Sequence, residues 1–266
     1  MTDNVIDLKN NLSLDQFFRC SYQEIEEITE INPDCDVEVC KADKLEYLKI
    51  RNFLKNPVDL RNFLVNFPAE DLMKTLVNGG ENVRGSKSPG FQQVMNAFWF
   101  KSISRSLHKI MEKNKLVHYG WSPPLWEFYT NCIYSGMKSY RLNYRPHLDQ
   151  FKYAGNIFLT DVEDTGTSFY KFVGSNKEYY TNEELFRPEN STDVIKYKSS
   201  LESYVENSSD VTPWPYYSGD EDFIQYHKIP AEFNSVSLYK GKFWHSVYFR
   251  SDVPNTIRYS LVAVLR

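Results

Sequence analysis

The segment RPHLDQF (145–151) contains two side chains that could bind a metal ion. His147 and Asp149 are two residues apart, and on a strand or an extended segment residues at this spacing point to the same side. One imidazole and one carboxylate therefore converge on one point. By itself the pair more often marks a surface histidine beside a surface aspartate, so a metal site requires a third ligand.

A third candidate ligand, His245, lies in KGKFWHSVYF (240–249), after a glycine-containing turn and at the start of an aromatic strand. A lone histidine in such a position is more often structural than a ligand. Together with His147 and Asp149, however, it completes a set of two imidazoles and one carboxylate. Such a set binds one face of Fe(II) and leaves three coordination positions open for a co-substrate and O2.

A strongly alternating strand, NTIRYSLVAVL (255–265), carries an arginine and a serine on the same face, Arg258 and Ser260. An arginine on the interior face of an apolar barrel is costly unless an anion pairs with it. Its planar guanidinium suits a carboxylate, to which a serine hydroxyl can add a donor. Alternatively, Arg258 lies on the outer face and pairs with an acidic side chain. The strand alone does not choose between these two interpretations.

In their order and spacing these residues resemble the H-x-D…H…R-x-S signature of the Fe(II)/2-oxoglutarate-dependent dioxygenases. AGNIFLTDVEDTGTSFYKF (154–172) is similar to the family's segment after the first ligands. NSVSLYKGKFWHSV (234–247) resembles the strand and turn that carry the distal histidine in the prolyl-hydroxylase-like branch, including uncharacterised bacterial and phage members. The resemblance covers about residues 138–266. It departs from the family in the distance from His245 to Arg258 and in a Thr-Gly-Thr turn at 165–167.

The resemblance implies a double-stranded β-helix, the jelly-roll or cupin-like barrel. With the helical pattern of the residues before it, the predicted fold class is mainly β with N-terminal helices. The resemblance also implies that His147, Asp149 and His245 bind Fe(II), and that 2-oxoglutarate chelates the iron through its 1-carboxylate and keto oxygens. The far carboxylate of the co-substrate would meet Arg258 and Ser260. His147, Asp149, His245 and Arg258 form the predicted catalytic set, and Ser260 is predicted only to bind the co-substrate.

Three further side chains, Tyr140, Tyr144 and Asn156, are candidates to hydrogen-bond the co-substrate, although each more often only lines a barrel. The resemblance implies that O2, 2-oxoglutarate and the substrate react to give succinate, CO2 and the hydroxylated substrate. Halogenases of this kind have a small residue in place of the carboxylate, so Asp149 favours hydroxylation.

Composition limits the classes of protein to which the chain can belong. Its 266 residues are 41% hydrophobic and 16% aromatic, enough for a substantial core. A net charge of −4 argues against a general binder of duplex nucleic acid.

No segment has the length and apolarity of a membrane span, and the first residues do not resemble a signal peptide. Four scattered cysteines favour reduced thiols in the cytoplasm, although Cys35 and Cys40 could form a metal pair.

The hydrophobic pattern divides the chain near residue 137. Residues 1–137 are predicted to be a mostly helical region that packs on the barrel, with helices at 14–31, 57–67, 68–80 and 92–113. Residues 129–138 predict either another helix or the entry to the first barrel strand. From residue 138 to 266 the period becomes two, and many short strands separated by turns predict the jelly roll.

An insertion at about 174–232 interrupts the predicted barrel. A loop of this length is usually functional or disordered, so we expect part of it to form a lid over the iron. Trp214, Tyr216 and Tyr217 would then wall the substrate site. A surface excursion without contact to the site is an equally good interpretation. His227, in the same insertion, is a weaker candidate for a substrate contact, and His108 and His118 are interpreted as structural.

The sequence does not identify the substrate or the oligomeric state. The resemblance favours a protein or peptide side chain, with a free amino acid or small metabolite nearly as well supported. Two alternatives to this oxygenase remain open at this stage. One is a non-catalytic jelly-roll module that binds a ligand or a protein, and the other is a cupin-type metal enzyme that does not use 2-oxoglutarate.

Overall fold

The computed structural model describes residues 22–65, 92–95, 97–117, 126–134, 138–140, 146–149, 151–180, 211–213, 219–249 and 257–265. The helix predicted at 68–80, Tyr144 and the three predicted lid residues, Trp214, Tyr216 and Tyr217, lie outside these ranges. Their predictions therefore stay predictions.

Helices occur in the N-terminal part of the described chain. They are α1 (Tyr22–Ile28), α2 (Pro57–Val65), a 3-10 turn (Ala97–Phe100) and α3 (Lys101–Lys113). None of the helices in the described ranges is long and apolar enough to cross a membrane.

Twelve strands occur among the described residues. They are β1 (Asp36–Ala42), β2 (Leu45–Arg51), β3 (Gln92–Met95), β4 (Trp126–Tyr134), β5 (Lys138–Tyr140), β6 (Tyr153–Phe158), β7 (Gly166–Phe172), β8 (Val211–Pro213), β9 (Phe223–Pro230), β10 (Ser235–Lys240), β11 (His245–Tyr248) and β12 (Ile257–Leu265).

The strands form a large antiparallel sheet of seven strands, a small one of three and a separate pair. The large sheet has the order β1-β2-β10-β6-β12-β4-β3, the small sheet has the order β11-β7-β9, and β5 pairs with β8. From β6 onward the chain passes from the large sheet to the small one at β7, returns at β10, crosses again at β11 and returns at β12. This alternation between two facing sheets is a double-stranded β-helix, so the predicted fold class is confirmed.

The alternating side chains of β12 show what each face of the large sheet packs against. Leu261 and Ala263 belong to the core cluster that contains the buried residues of the helices, whereas Val264 belongs to a cluster with Phe169 and Ile229 of the small sheet. One face of β12 therefore packs on the helices, and the other faces the interior between the sheets. Arg258, which shares a face with Val264, points into this interior and is 1% exposed.

The N-terminal region contains more strand than its sequence indicated. Residues 92–113 were predicted to be one helix, but Gln92–Met95 is a strand that pairs with β4, and the helix begins at Lys101. The sequence allowed either a helix or a strand at 129–138, and the first part of this segment belongs to β4. The hairpin of β1 and β2 extends the large sheet beside β10. The predicted division of the chain between residues 137 and 138 stays a prediction.

Asn234, in the turn between β9 and β10, joins the barrel to the segment after β2. Its side chain accepts a hydrogen bond from the Leu54 backbone N–H at 2.8 Å and donates one to the Leu54 carbonyl at 2.9 Å. Its backbone has a φ of 57°, a region that asparagine tolerates better than most residues.

We expect Asn234→Ala to lower the free energy of unfolding by about 3–5 kcal/mol. Two buried backbone groups of Leu54 would lose their partners, and alanine is strained at this φ. Asn234→Gly loses the same hydrogen bonds without the strain, so it should recover about 1 kcal/mol. Urea unfolding of the three proteins measures both effects. Equal stability of Asn234→Ala and the original chain would contradict this role.

Candidate metal centre

His147 and His245 are brought together by their backbones. The His147 N–H donates to the His245 carbonyl at 2.9 Å, and the His245 N–H donates to the His147 carbonyl at 3.1 Å. Such a reciprocal pair places two residues directly opposite each other, with their side chains on the same side. The two imidazole rings lie 4.5 Å apart, centroid to centroid. The segment that carries the first histidine therefore adds to the small sheet next to β11.

Asp149 is positioned by the turn before β11. Its N–H donates to the Gly241 carbonyl at 2.8 Å. A Cβ at residue 241 would lie 2.6 Å from the Phe151 carbonyl oxygen and 2.8 Å from the Asp149 Cβ. Only glycine leaves room for this approach, which explains why the turn leading to the distal histidine contains one. Asp149 and His147 point to the same side, as their spacing of two predicted.

The three side chains form one compact group. A ligand atom from each of His147, Asp149 and His245 lies within 4.8 Å of the others, and no second group of this kind occurs among the described residues. The Asp149 Oδ1 atom is 3.9 Å from the His147 Nε2 atom, and its Oδ2 atom is 3.3 Å from the His245 Nε2 atom. The His147 side chain is 37% exposed and that of His245 is 6% exposed, so the group opens to solvent on one side.

The environment of His245 fixes which ring nitrogen faces the group. Its Nδ1 atom lies 2.8 Å from the Phe243 carbonyl oxygen, which can only accept, so Nδ1 carries a proton. Burial alone lowers the pKa of His245, but the Asp149 carboxylate and the Phe243 carbonyl outweigh it, and the pKa is raised. In the neutral ring the Nε2 lone pair faces a carboxylate oxygen. Two electron-rich atoms at 3.3 Å favour a cation between them.

Arg258 lies with Ser260 and Asn156 on the interior face of the large sheet. Its Nη2 atom donates to the Asn156 Oδ1 atom at 3.4 Å, and the Ser260 hydroxyl donates to the same oxygen at 3.5 Å. The guanidinium lies 5.3 Å from the ring centroid of Phe158. A buried guanidinium beside a hydroxyl and an amide is an environment that can bind a carboxylate. The structure thus places Arg258 inside the barrel, not on its outer face.

Tyr239 on β10 packs against the histidine group, although its sequence pattern did not single it out as a site residue. Its ring is 5.0 Å from that of His245 in an edge-on arrangement. Burial and then the Asp149 carboxylate raise the pKa of Tyr239, while hydrogen bonds with Thr167 and Asn156 and the charge of Arg258 act in the opposite direction. Its ring therefore packs directly on one of the three candidate ligands. The alternation in NSVSLY puts Tyr239 and Leu238 on opposite faces of β10. This pattern could have identified Tyr239 as a residue of the interior face.

Other predicted residues are not brought to this group by the described structure. Tyr140 is in β5, but its side chain, like all of Tyr144, lies outside the described residues. The His227 Nε2 atom is 3.2 Å from the Tyr47 hydroxyl, and burial lowers the pKa of His227. Cys40 is a free, partly buried thiol.

Comparison with known proteins gives only distant similarities. No family model and no curated protein matches the chain. A prolyl-4-hydroxylase of Pseudomonas putida is 11% identical, with 66% of this chain and 70% of that chain covered and a TM-score of 0.33. The 2-oxoglutarate-dependent epimerase SnoN from nogalamycin biosynthesis is 12% identical over 86% of this chain and 66% of that chain, with a TM-score of 0.32.

A third solved structure, IDO from Bacillus thuringiensis, is 9% identical over 63% of this chain and 56% of its own, with a TM-score of 0.34. Similarities of this size do not assign an activity. The chain's own geometry nevertheless defines a class: a double-stranded β-helix protein with a group of two histidines and an aspartate that could bind iron, and a buried arginine in the same interior.

Proposed function

We propose that this protein is an Fe(II)- and 2-oxoglutarate-dependent oxygenase that hydroxylates an organic substrate. The observation that carries the proposal is the convergence of His147, Asp149 and His245 in a barrel whose interior also holds the buried Arg258. Two imidazoles and one carboxylate suit Fe(II) with open coordination positions. A buried guanidinium suits the far carboxylate of a chelating diacid.

The residues around the candidate metal position fit a cation. The Nδ1–H of His245 is held by the Phe243 carbonyl, so its Nε2 lone pair is directed at the group. This is the arrangement in which a second hydrogen bond orients a metal-binding histidine and raises its basicity. His147 and His245 would supply nitrogen ligands, and Asp149 an oxygen ligand.

The residues around Arg258 fit an organic acid. Burial of the guanidinium has a desolvation cost that a bound carboxylate offsets. Ser260 and Asn156 lie beside it and can hydrogen-bond the same anion. 2-Oxoglutarate combines such a carboxylate with a 2-oxo acid that can chelate a metal. One molecule would thus satisfy both parts of the interior.

When bound, iron and 2-oxoglutarate supply the oxidising chemistry, and the protein supplies position and the exclusion of water. Phe169 and Tyr239 are buried beside His245 and line the interior with aromatic rings. The partly exposed His147 marks the open side, from which a substrate would approach. A protein or peptide side chain is the preferred substrate, and a free amino acid or a small metabolite is the next.

The proposal is tested by succinate formation from 2-oxoglutarate in air with added Fe(II). We expect succinate, and more of it when the right substrate is present in separate screens of peptide pools, free amino acids and nucleotides. A cupin-type enzyme that does not use 2-oxoglutarate, or a non-catalytic binding module, forms none above the metal-free control. Stimulation by free amino acids or nucleotides alone would overturn the preference for a peptide substrate.

A further inference from the structure

The turn between β10 and β11 supports two of the candidate metal ligands and carries Lys242. The Gly241 carbonyl accepts a hydrogen bond from the Asp149 N–H at 2.8 Å, and the Phe243 carbonyl oxygen lies 2.8 Å from the Nδ1 atom of His245. Lys242 is the residue between these two carbonyl groups. Because three residues of chain span at most about 11 Å, the Cα atom of Lys242 is no farther than this from that of His245. Lys242 is therefore a close neighbour of the candidate metal centre.

Tyr179 adds a further aromatic ring next to this turn. Tyr179 and Phe243 form an antiparallel bridge, which places their side chains on the same side, and their ring centroids are 5.3 Å apart. Phe243 belongs to the buried cluster that contains Phe169 and Tyr239, and Tyr179 packs against this cluster while remaining partly exposed. Phe169 and Tyr239 in turn pack beside His245. Tyr179 thus lies at the solvent-accessible margin of the rings around the candidate metal centre.

Two lysine side chains converge on the Tyr179 ring. The Nζ atom of Lys242 is 4.8 Å from the ring centroid, and that of Lys44, in the turn between β1 and β2, is 5.7 Å from it. Both distances are within the range of a cation–π contact. No carboxylate in the described part of the chain forms a salt bridge with either lysine. The ring attracts the two ammonium groups, but it does not neutralise their charge.

The acidic side chains in this corner of the molecule already have a partner. Asp43 precedes Lys44 in the sequence, and its Oδ2 atom is 2.9 Å from the Nζ atom of Lys171. Glu178 precedes Tyr179, and its Oε1 atom is 3.4 Å from the same nitrogen. The Oε2 atom of Glu178 accepts a hydrogen bond from the backbone N–H of Lys44 at 3.2 Å. Three lysines and two carboxylates therefore meet here, and the excess positive charge attracts an anion.

We propose that Lys44 and Lys242 bind an acidic group of the substrate, a carboxylate or a phosphate, beside the Tyr179 ring while another part of the same molecule reaches the metal. The inference rests on the proposed function and deepens it, because it assigns a charge to the substrate. A peptide with an acidic residue close to the oxidised side chain combines this charge with the preferred substrate class. A pair of lysines that only packs on a partly exposed tyrosine would not select for an acid.

The test compares the double variant Lys44→Gln/Lys242→Gln with Lys41→Gln/Lys55→Gln. The control removes the same two charges, since Lys41 and Lys55 are exposed lysines whose salt bridges lie elsewhere. Each Mn(II)-loaded protein, with saturating 2-oxoglutarate and without turnover, is dialysed to equilibrium against peptides that contain Asp or Glu and against the same peptides with Asn or Gln. Mass spectrometry measures the retained peptides. Citrate and adenosine monophosphate are titrated in parallel as small organic anions.

We expect the original chain to retain the acidic peptides about tenfold more than their amide counterparts, the effect of one hydrogen bond to a charged group. Lys44→Gln/Lys242→Gln should lose this preference, whereas Lys44→Arg/Lys242→Arg and the control should keep it. Mn(II) affinity should be the same in all four proteins. Lower Mn(II) affinity in Lys44→Gln/Lys242→Gln would mean that the lysines only support the turn, and this result would overturn the inference.

The other outcomes separate the inference from the proposed function. If the original chain forms succinate but does not prefer acidic peptides, or if Lys44→Gln/Lys242→Gln keeps the preference, the inference is wrong while the proposed function stands. If citrate or adenosine monophosphate requires the two lysines and no peptide is retained, the acid site stands and its ligand is a small organic acid. If no substrate gives succinate, the proposed function is wrong, and selective retention of acidic peptides would still locate an acid-binding site at Lys44 and Lys242.

Discussion

Replacement of His245 by alanine is expected to remove metal binding and succinate formation together. The imidazole is buried, and its Nε2 atom is 3.3 Å from the Asp149 carboxylate. Loss of a hydrogen-bond partner of a metal ligand already lowers metal affinity about 10–100-fold. Loss of the ligand itself should lower Fe(II) affinity more than about 100-fold. Titration with Mn(II) or Fe(II), followed by a succinate assay, measures this effect.

His227→Ala is the control for this experiment. His227 is another barrel histidine, but it is only partly buried and lies on β9 with its Nε2 atom 3.2 Å from the Tyr47 hydroxyl. Its removal should leave the affinity for the metal within a few-fold of the original. Unchanged metal affinity in His245→Ala, or an equal loss in both variants, would contradict the proposed metal centre.

Replacement of Arg258 by alanine should weaken 2-oxoglutarate binding about thirtyfold or more while leaving metal binding intact. Truncation of one partner of a buried charge pair costs about 2–5 kcal/mol, and the lower value corresponds to this factor. Arg258→Lys keeps the charge but loses the planar fork, so it should bind 2-oxoglutarate with intermediate affinity. Calorimetry on the Mn(II)-loaded proteins gives the three affinities.

Arg51→Ala serves as the charge control. Arg51 is a partly exposed arginine on β2 that forms salt bridges with Asp36 and Glu38, and such exposed pairs contribute little. Its removal changes the net charge as Arg258→Ala does, and 2-oxoglutarate binding should not respond. If both variants lose the same affinity, a general effect of charge explains the result and Arg258 has no specific role.

Period-two patterns carried most of what the sequence could predict about the site. The H-x-D spacing placed His147 and Asp149 on one side, and the alternation of residues 257–265 separated Arg258 from Leu261. The strand alone did not show which way Arg258 points, because alternation defines two faces but does not identify the inner one. The helices pack on the face that carries Leu261, and this packing shows that the face with Arg258 is the inner one. The roles of these residues as ligands stay predictions.

The N-terminal strands were harder to predict because their environment is set by pairing and not by local pattern. Gln92–Met95 precedes an amphipathic helix in the sequence, so the local pattern predicted that the helix starts there. Its strand conformation depends on pairing with β4. Tyr239 was missed for a similar reason. Its face could be predicted from NSVSLY, but its proximity to His245 depends on the crossing from the large sheet to the small one.

Anaerobic addition of Fe(II) and then 2-oxoglutarate tests the proposed function most directly. Chelation of Fe(II) by a 2-oxo acid gives a charge-transfer band in the visible spectrum. We expect the band in the original chain and in His227→Ala, at higher 2-oxoglutarate concentration in Arg258→Ala, and not at all in His245→Ala. Absence of the band from the original chain at saturating Fe(II) and 2-oxoglutarate, or an undiminished band in His245→Ala, would contradict an iron and 2-oxoglutarate site at these residues.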